Sequence, residues 1–331
     1  MLKKVIFASA LTVSTVSFAA PTTLNVYTYD SFSSEWGPGP KLEQLFEKQC
    51  QCDLKFVAFD SSVTMFNRLR LEGKNSKADI ALGLDQSLLE AAEQSKLFAA
   101  TSVDTSSLKL PMQWTSNTYI PYDFGSYAFI YDKTKLTTPP TTLKELVERK
   151  DLRVIYQDPR TSSVGRGLLL WMNQVYPQDQ VAQAWQQLAQ HTVTVGKGWS
   201  DTYGAFLKGE GDLVLSYRTS PLYHLLNEQN DHYAATVFSE GNILQIEVAA
   251  KLKASKQAKL ADQFLQFLIS PEAQKIISQS NVMFAVTDSP IESHYDQLRQ
   301  QLLSEKTIDT SKITHQQTKA WLETWQNALS K

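Results

Sequence analysis

The chain has 331 residues, with 32 lysines and arginines against 34 aspartates and glutamates, a net charge of −2, 42% hydrophobic residues and 11% aromatics. These proportions exclude a disordered tail, a collagen-like repeat and a multi-span membrane protein, and the lack of a basic excess argues against a nucleic-acid partner. The length suits two lobes of roughly 150 residues each.

The first residues read as an export signal. Lys3 and Lys4 precede a mostly apolar run over residues 5–13, and Ser17 and Ala19 supply the small residues of a cleavage site. This pattern predicts a signal peptide over residues 1–19, with the cut after Ala19 and a periplasmic destination. A membrane anchor fits less well, because about 20 apolar residues are needed to span and Thr12, Ser14 and Thr15 interrupt the run. The two cysteines, Cys50 and Cys52, stand two apart in an exported chain, so a disulfide is the favoured reading, with a reduced pair or a metal site as alternatives.

Beyond the signal, residues 24–29 (LNVYTY) alternate as a strand, and a loop WGPGP at 36–40 leads into a helix carrying Leu42, Leu45 and Phe46. Residues 52–58 read as a strand, 63–71 as a helix closed by Gly73, and 78–83 as a strand followed by a helix from about Ser87. This rhythm predicts a parallel α/β sheet. A second set follows, with strands at 127–131, 153–156, 193–195 and 212–216, and helices at 141–149, 165–176 and from Ser200 to 208. A strand at 243–249 precedes helices at 260–269 and 271–278, the latter with Ser270 as N-cap and Pro271 at its first position. A last helix over 314–329 places Trp321 and Trp325 on one face.

In an open α/β sheet, ligands bind beyond the carboxyl ends of the strands. That rule selects Tyr29 to Trp36, Asp60 with Ser61 and Ser62, residues 83–85, residues 158–163, Trp199, and Tyr217 to Tyr223. The aromatics Tyr29, Trp36, Trp199, Tyr217 and Tyr223 suit a flat or cationic ligand, although each alone is as easily a core residue. Ser162 and Ser163 open a helix whose free N–H groups favour an anionic or polar group, with simple capping as the plainer reading. Asp30, Asp60, Asp85 and Asp158 could pair with a cation or merely shape turns. There is no nucleotide-binding glycine motif, no nucleophile elbow and no zinc-binding helix, and the five histidines are scattered.

At VYTYDSF, WGPGP, NRLRLEGKNSKADIALGLD, RVIYQDPRTSS, GLLLWM, VTVGKGWSDTYGAFLKGEGDLVLSY and SPLYH the chain resembles the thiamine-binding periplasmic proteins of ABC importers. The resemblance implies a two-lobed type II periplasmic binding protein fold, α/β, with a mainly parallel sheet in each lobe and the ligand cleft between. It implies lobes at 20–125 plus 246–290 and at 126–245 plus 291–331, with crossings near Gly125–Ser126 and at 242–246. It also implies closure on thiamine or its mono- and diphosphate and delivery to a membrane permease, with no catalysis and no resident cofactor or metal, in a monomer. Its ligand-lining positions fall on Ser61, Ser62, Ser162, Ser163, Trp199, Tyr217, Arg218, Thr219 and Ser220, with Tyr29, Trp36 and Tyr223 beside them and Asp60 in reserve. Three departures stand out: Asp60-Ser-Ser62 lacks an expected glycine, Arg218 replaces a small hydroxyl residue, and Val282 stands where a tryptophan is expected. Two alternatives are a receptor for ferric iron or a polyamine, and a thiaminase-like enzyme, which needs a cysteine in the cleft.

Overall fold

The structure, a computed structural model, describes residues 21–288 and 291–330. The signal-peptide reading, with its cut after Ala19, lies outside the described residues. The first half of the chain lays down β1 (Thr23–Tyr29), the short α1 (Asp30–Ser33), α2 (Gly39–Cys50), β2 (Asp53–Phe59), α3 (Ser62–Glu72), β3 (Ile80–Asp85), α4 (Gln86–Ser95) and β4 (Phe98–Ala99). The long β5 (Tyr119–Asp132) leads to α5 (Leu143–Glu148), β6 (Val154–Gln157), α6 (Ser163–Val175), α7 (Val181–Ala189) and β7 (Thr192–Gly196). Next come α8 (Trp199–Leu207), β8 (Leu213–Tyr217), α9 (Ser220–Glu228) and β9 (Tyr233–Ala235). The chain returns along β10 (Leu244–Leu252) to α10 (Ala258–Leu268), α11 (Pro271–Asn281), β11 (Phe284–Ala285), α12 (Ser293–Ser304) and α13 (His315–Leu329).

The main strands run in the order β2-β1-β3-β10-β5-β8-β6-β7. Strands β1, β2 and β3 are parallel, as are β6, β7 and β8, while β10 and β5 run antiparallel to their neighbours. Every residue of β3 and β6 is buried, as expected of strands covered by helices on both faces. β5 pairs with β10 as far as Ser126 and with β8 from Tyr127 onward. The chain thus changes pairing partners between Ser126 and Tyr127, and β10 starts opposite Ser126 at Leu244. A third link joins α12 to α13: Asn242 donates to the Lys306 carbonyl and accepts from the Ile308 amide, at 2.9 and 2.8 Å.

Two large hydrophobic cores flank this exchange, and a third, smaller cluster gathers Ile130, Ile155, Tyr203, Phe206 and Val214. Of the large cores, one gathers Phe32, Phe66, Tyr122 and Phe264, and the other Tyr156, Trp171 and Trp185. Trp321 and Trp325 of α13 join the second core, whereas Tyr295 and Leu302 of α12 join the first. Residues 293–304 therefore pack with the first half, not with the second as the 291–331 grouping expects. β5 starts eight residues earlier than its sequence suggests. Pro121 fits because the register shifts there, with Glu247 opposite Asp123 and Val248 opposite Pro121. Ser200 lies inside α8, whose N-cap is Gly198.

Cys50 and Cys52 are joined in a disulfide, at the end of β2 remote from the cleft. The intervening Gln51 is left-handed at φ 53°, which draws the Cα atoms to 5.2 Å, nearer than an extended segment allows. So small a loop removes little freedom from the unfolded chain, about 1–2 kcal/mol at most. Replacing both cysteines by serine should lower the melting temperature by only a few degrees and leave ligand affinity unchanged. A calorimetric scan checks the first outcome and a titration the second.

Candidate functional site

The carboxyl ends of the two sets of parallel strands face each other across a cavity of about 390 Å³. Two helix N-termini meet at its edge. Ser61 caps α3 by accepting from the Thr64 amide, and Ser162 caps α6 by accepting from the Gly165 amide. One residue inside each cap, Ser62 Oγ and Ser163 Oγ are hydrogen-bonded across the cleft at 2.9 Å. Ser61 Oγ donates to the Thr161 carbonyl, Lys197 Nζ to Asp60 Oδ1 at 2.8 Å, and Ser200 Oγ to Asp30 Oδ1 at 3.2 Å. Each contact joins one half to the other, so the cleft is closed.

Aromatic rings form one wall. Trp36, 46% exposed at the cleft, lies with its ring centroid 5.9 Å from that of Trp199. Trp199 is stacked on Tyr203 at 4.7 Å and donates from Nε1 to Ser216 Oγ at 2.7 Å. Tyr203 is held in turn: its hydroxyl bonds His224 Nε2 at 2.9 Å, and His224 Nδ1 bonds Glu228 at 2.7 Å. Tyr217 stacks on Tyr127 and donates to Gln245 at 2.5 Å. The result is a braced aromatic surface suited to a flat, electron-poor ring.

The floor is acidic. Asp85, Glu247 and Asp123 stand directly opposite one another across β3, β10 and β5, and Glu247 reaches the cavity. Glu247 Oε2 accepts from the Tyr29 hydroxyl at 2.9 Å and from Asn281 Nδ2 at 3.3 Å, while Asn281 Nδ2 also lies 2.7 Å from Asp123 Oδ2. Burial raises Glu247 to about 7, helped by the charge of Asp85. Burial and the neighbouring Glu247 hold Asp123 well above the ordinary carboxyl range. Among the described residues no lysine or arginine lines the cavity, although Lys41 and Lys197 bond to its lining residues Ser280 and Asp60. Asn281 ends α11, and Val282 after it lines the cavity with φ 56°, a conformation that costs a β-branched residue about 1–2 kcal/mol.

Of the positions expected from sequence, Tyr29, Trp36, Asp60, Ser61, Ser62, Ser162, Ser163, Trp199, Tyr217, Ser220 and Tyr223 line this cavity. Arg218 and Thr219 do not. Arg218 forms a two-pronged ion pair with Glu305 at 2.9 and 3.0 Å, and Thr219 is wholly buried in the turn before α9. Asp158 is engaged by Arg160, and Asp85 lies beside Glu247 without lining the cavity. Sequence reasoning missed Tyr203, Glu247 and Asn281; a glutamate between Ile246 and Val248 in β10 was the one signal available. Among the described residues there is no free cysteine and no group of three side chains placed to hold a metal ion.

Residues 41–293 match the family of bacterial extracellular solute-binding proteins. A thiamine-binding periplasmic protein of Haemophilus influenzae is 55% identical over 332 residues, taking in 100% of this chain and 99% of that protein. Its counterpart in Salmonella typhimurium is 53% identical over 95% of each chain. A solved periplasmic thiamin binding protein has a TM-score of 0.89 at 50% identity, covering 95% of this chain and 100% of the other.

Proposed function

The chain belongs to the bacterial extracellular solute-binding proteins, in their thiamine-binding periplasmic branch, and from that premise we propose that it captures thiamine in the cleft just described and hands it to an ABC-type permease. It is a solute-binding receptor for thiamine. The cavity supports this reading: it is walled by Trp36 and Trp199, floored by Glu247, lined by no lysine or arginine among the described residues, and closed by contacts between the two halves. Thiamine brings a permanently cationic thiazolium and a flat aminopyrimidine, and these features match rings and a carboxylate. We assign recognition to the cavity-lining residues Tyr29, Trp36, Asp60, Ser61, Ser62, Ser162, Ser163, Trp199, Tyr217, Ser220 and Tyr223, together with Glu247.

A phosphate ester would meet the amides at the starts of α3 and α6. Arg218, bound to Glu305, takes no part in this reading. The protein acts in the periplasm as a monomer. Enzyme action on the same scaffold is disfavoured because both cysteines are bonded to each other away from the cleft. Calorimetric titration of ligand-free protein with thiamine and its two phosphate esters tests the reading. Stoichiometric binding with a Kd of roughly nanomolar to low micromolar is expected. An absence of heat with all three would overturn it.

A further inference from the structure

The three carboxylates in one row are more than a thiamine site requires, and their surroundings do not neutralise them. Glu247 is 5% exposed and Asp123 fully buried, and one oxygen of Asp123, Oδ1, has no hydrogen-bond partner. The groups facing Glu247 are acids, phenols and one neutral amide. Asp85 lies on one side, from β3, and Asp123 with Tyr122 on the other, from β5. The Tyr29 hydroxyl comes from β1 and the neutral amide of Asn281 from α11. Further out, Glu247 acts on the phenols of Tyr217 and Tyr127. Among the described residues, the cation acting on the row is Arg166, which acts on Asp85 while its Nε donates to the Pro159 carbonyl.

A buried carboxylate with no cation beside it is held neutral by its desolvation until a cation arrives. We propose that Glu247 is the counter-ion for the thiamine cation, and that it enters the complex by expelling its own proton to solvent. This rests on the thiamine-receptor reading and deepens it. The O–H bond of the Glu247 carboxylic acid breaks, the proton passes to water, and the carboxylate stays paired with the ligand's positive charge. Asp123 keeps its proton and donates it toward Glu247 in both states, so the Glu247–Asp123 pair carries one negative charge, not two.

The linkage has a definite sign. With Glu247 poised near pH 7, acid competes with the ligand, and thiamine affinity falls about tenfold between pH 7.5 and pH 6. The same raised value makes the ligand-free protein more stable as pH falls from above 7 toward the ordinary glutamate range, and thiamine, by holding Glu247 ionised, removes that trend.

Calorimetry with thiamine in buffers of different ionisation enthalpy, between pH 6 and pH 8.5, reads the proton directly. This range stays above that in which the ligand's aminopyrimidine takes up a proton. Release approaching one proton per thiamine is expected at pH 6, vanishing by pH 8.5. Glu247→Gln should abolish the release and flatten the pH dependence, with affinity at pH 8 lowered at least tenfold. Thiochrome, a neutral relative of the vitamin, should release no proton from the unaltered protein, a comparison that stands even if the variant does not fold. Tight thiamine binding with no buffer-dependent heat, or equal proton release in Glu247→Gln, would overturn the proposal and leave the receptor reading intact. Failure of thiamine to bind at any pH would instead overturn the receptor reading, and this proposal with it.

Discussion

Gly198→Val should leave the protein folded and weaken thiamine binding by about two orders of magnitude, equivalent to about 3 kcal/mol. Gly198 precedes α8 in extended backbone, at φ −157°, which any residue adopts. A Cβ added there meets nothing in its own half of the molecule within 4 Å; its neighbours are the carbonyl oxygen and carbon of Asp60 across the cleft, the oxygen at 2.4 Å. The clash exists only when the halves come together, and backbone on both sides cannot yield as a flexible side chain would. The variant therefore pays nothing in the open form and is wedged ajar in the closed one. Titration calorimetry gives the affinity, and small-angle scattering of the thiamine-saturated variant should show a larger radius of gyration than the unaltered protein. Unchanged affinity with unchanged scattering would mean that thiamine is held in a looser arrangement than the one described.

Trp199→Ala is expected to lower affinity by a factor of about 10 to 1,000. An indole facing a desolvated cation contributes about 0.5–2 kcal/mol, and its lost burial adds a further 1–2 kcal/mol. Trp199 also touches two other rings, tilted at 50° to Trp36 and stacked on Tyr203. Its removal frees Trp36 to turn outward and leaves Ser216 Oγ without its indole donor. Trp199→Phe keeps an aromatic face while losing that donor, so it should recover most of the affinity. Equal losses in the two variants would point to packing of the second half rather than recognition of the ring, and a melting curve for each separates the two cases.

Much of this cleft was legible because its parts are local. Ser61 and Ser162 cap helices within three residues of themselves, and caps of this kind follow strand ends in the sequence. The βα rhythm then carries those ends to a common edge, so Tyr29, Trp199 and Tyr217 could be gathered without knowing their partners. What could not be read depends on distance along the chain. Arg218 looks like a cleft cation until Glu305, 87 residues away, claims it. Glu247 sits among apolar neighbours in β10, and only the register with Asp85 and Asp123 turns three separate acids into a row. Helix α7 went unread although Val181, Ala184, Trp185 and Leu188 recur at helical spacing, because its glutamines and alanines blur the polar face. β5 was shortened for a physical reason too: Pro121 and Asp123 argue against a strand, and a register shift opposite β10 is what admits them.

The bonds that seal the cleft also govern timing. Ser62 with Ser163, Ser61 with Thr161, Asp60 with Lys197 and Asp30 with Ser200 are contacts of protein with protein. A bound molecule can depart only in the interval when these have parted. Residence time is therefore adjustable from residues such as Lys197 that leave the vitamin itself untouched. A permease emptying the receptor has to separate the same pairs, so one narrow rim sets the pace of spontaneous leakage and of productive unloading alike.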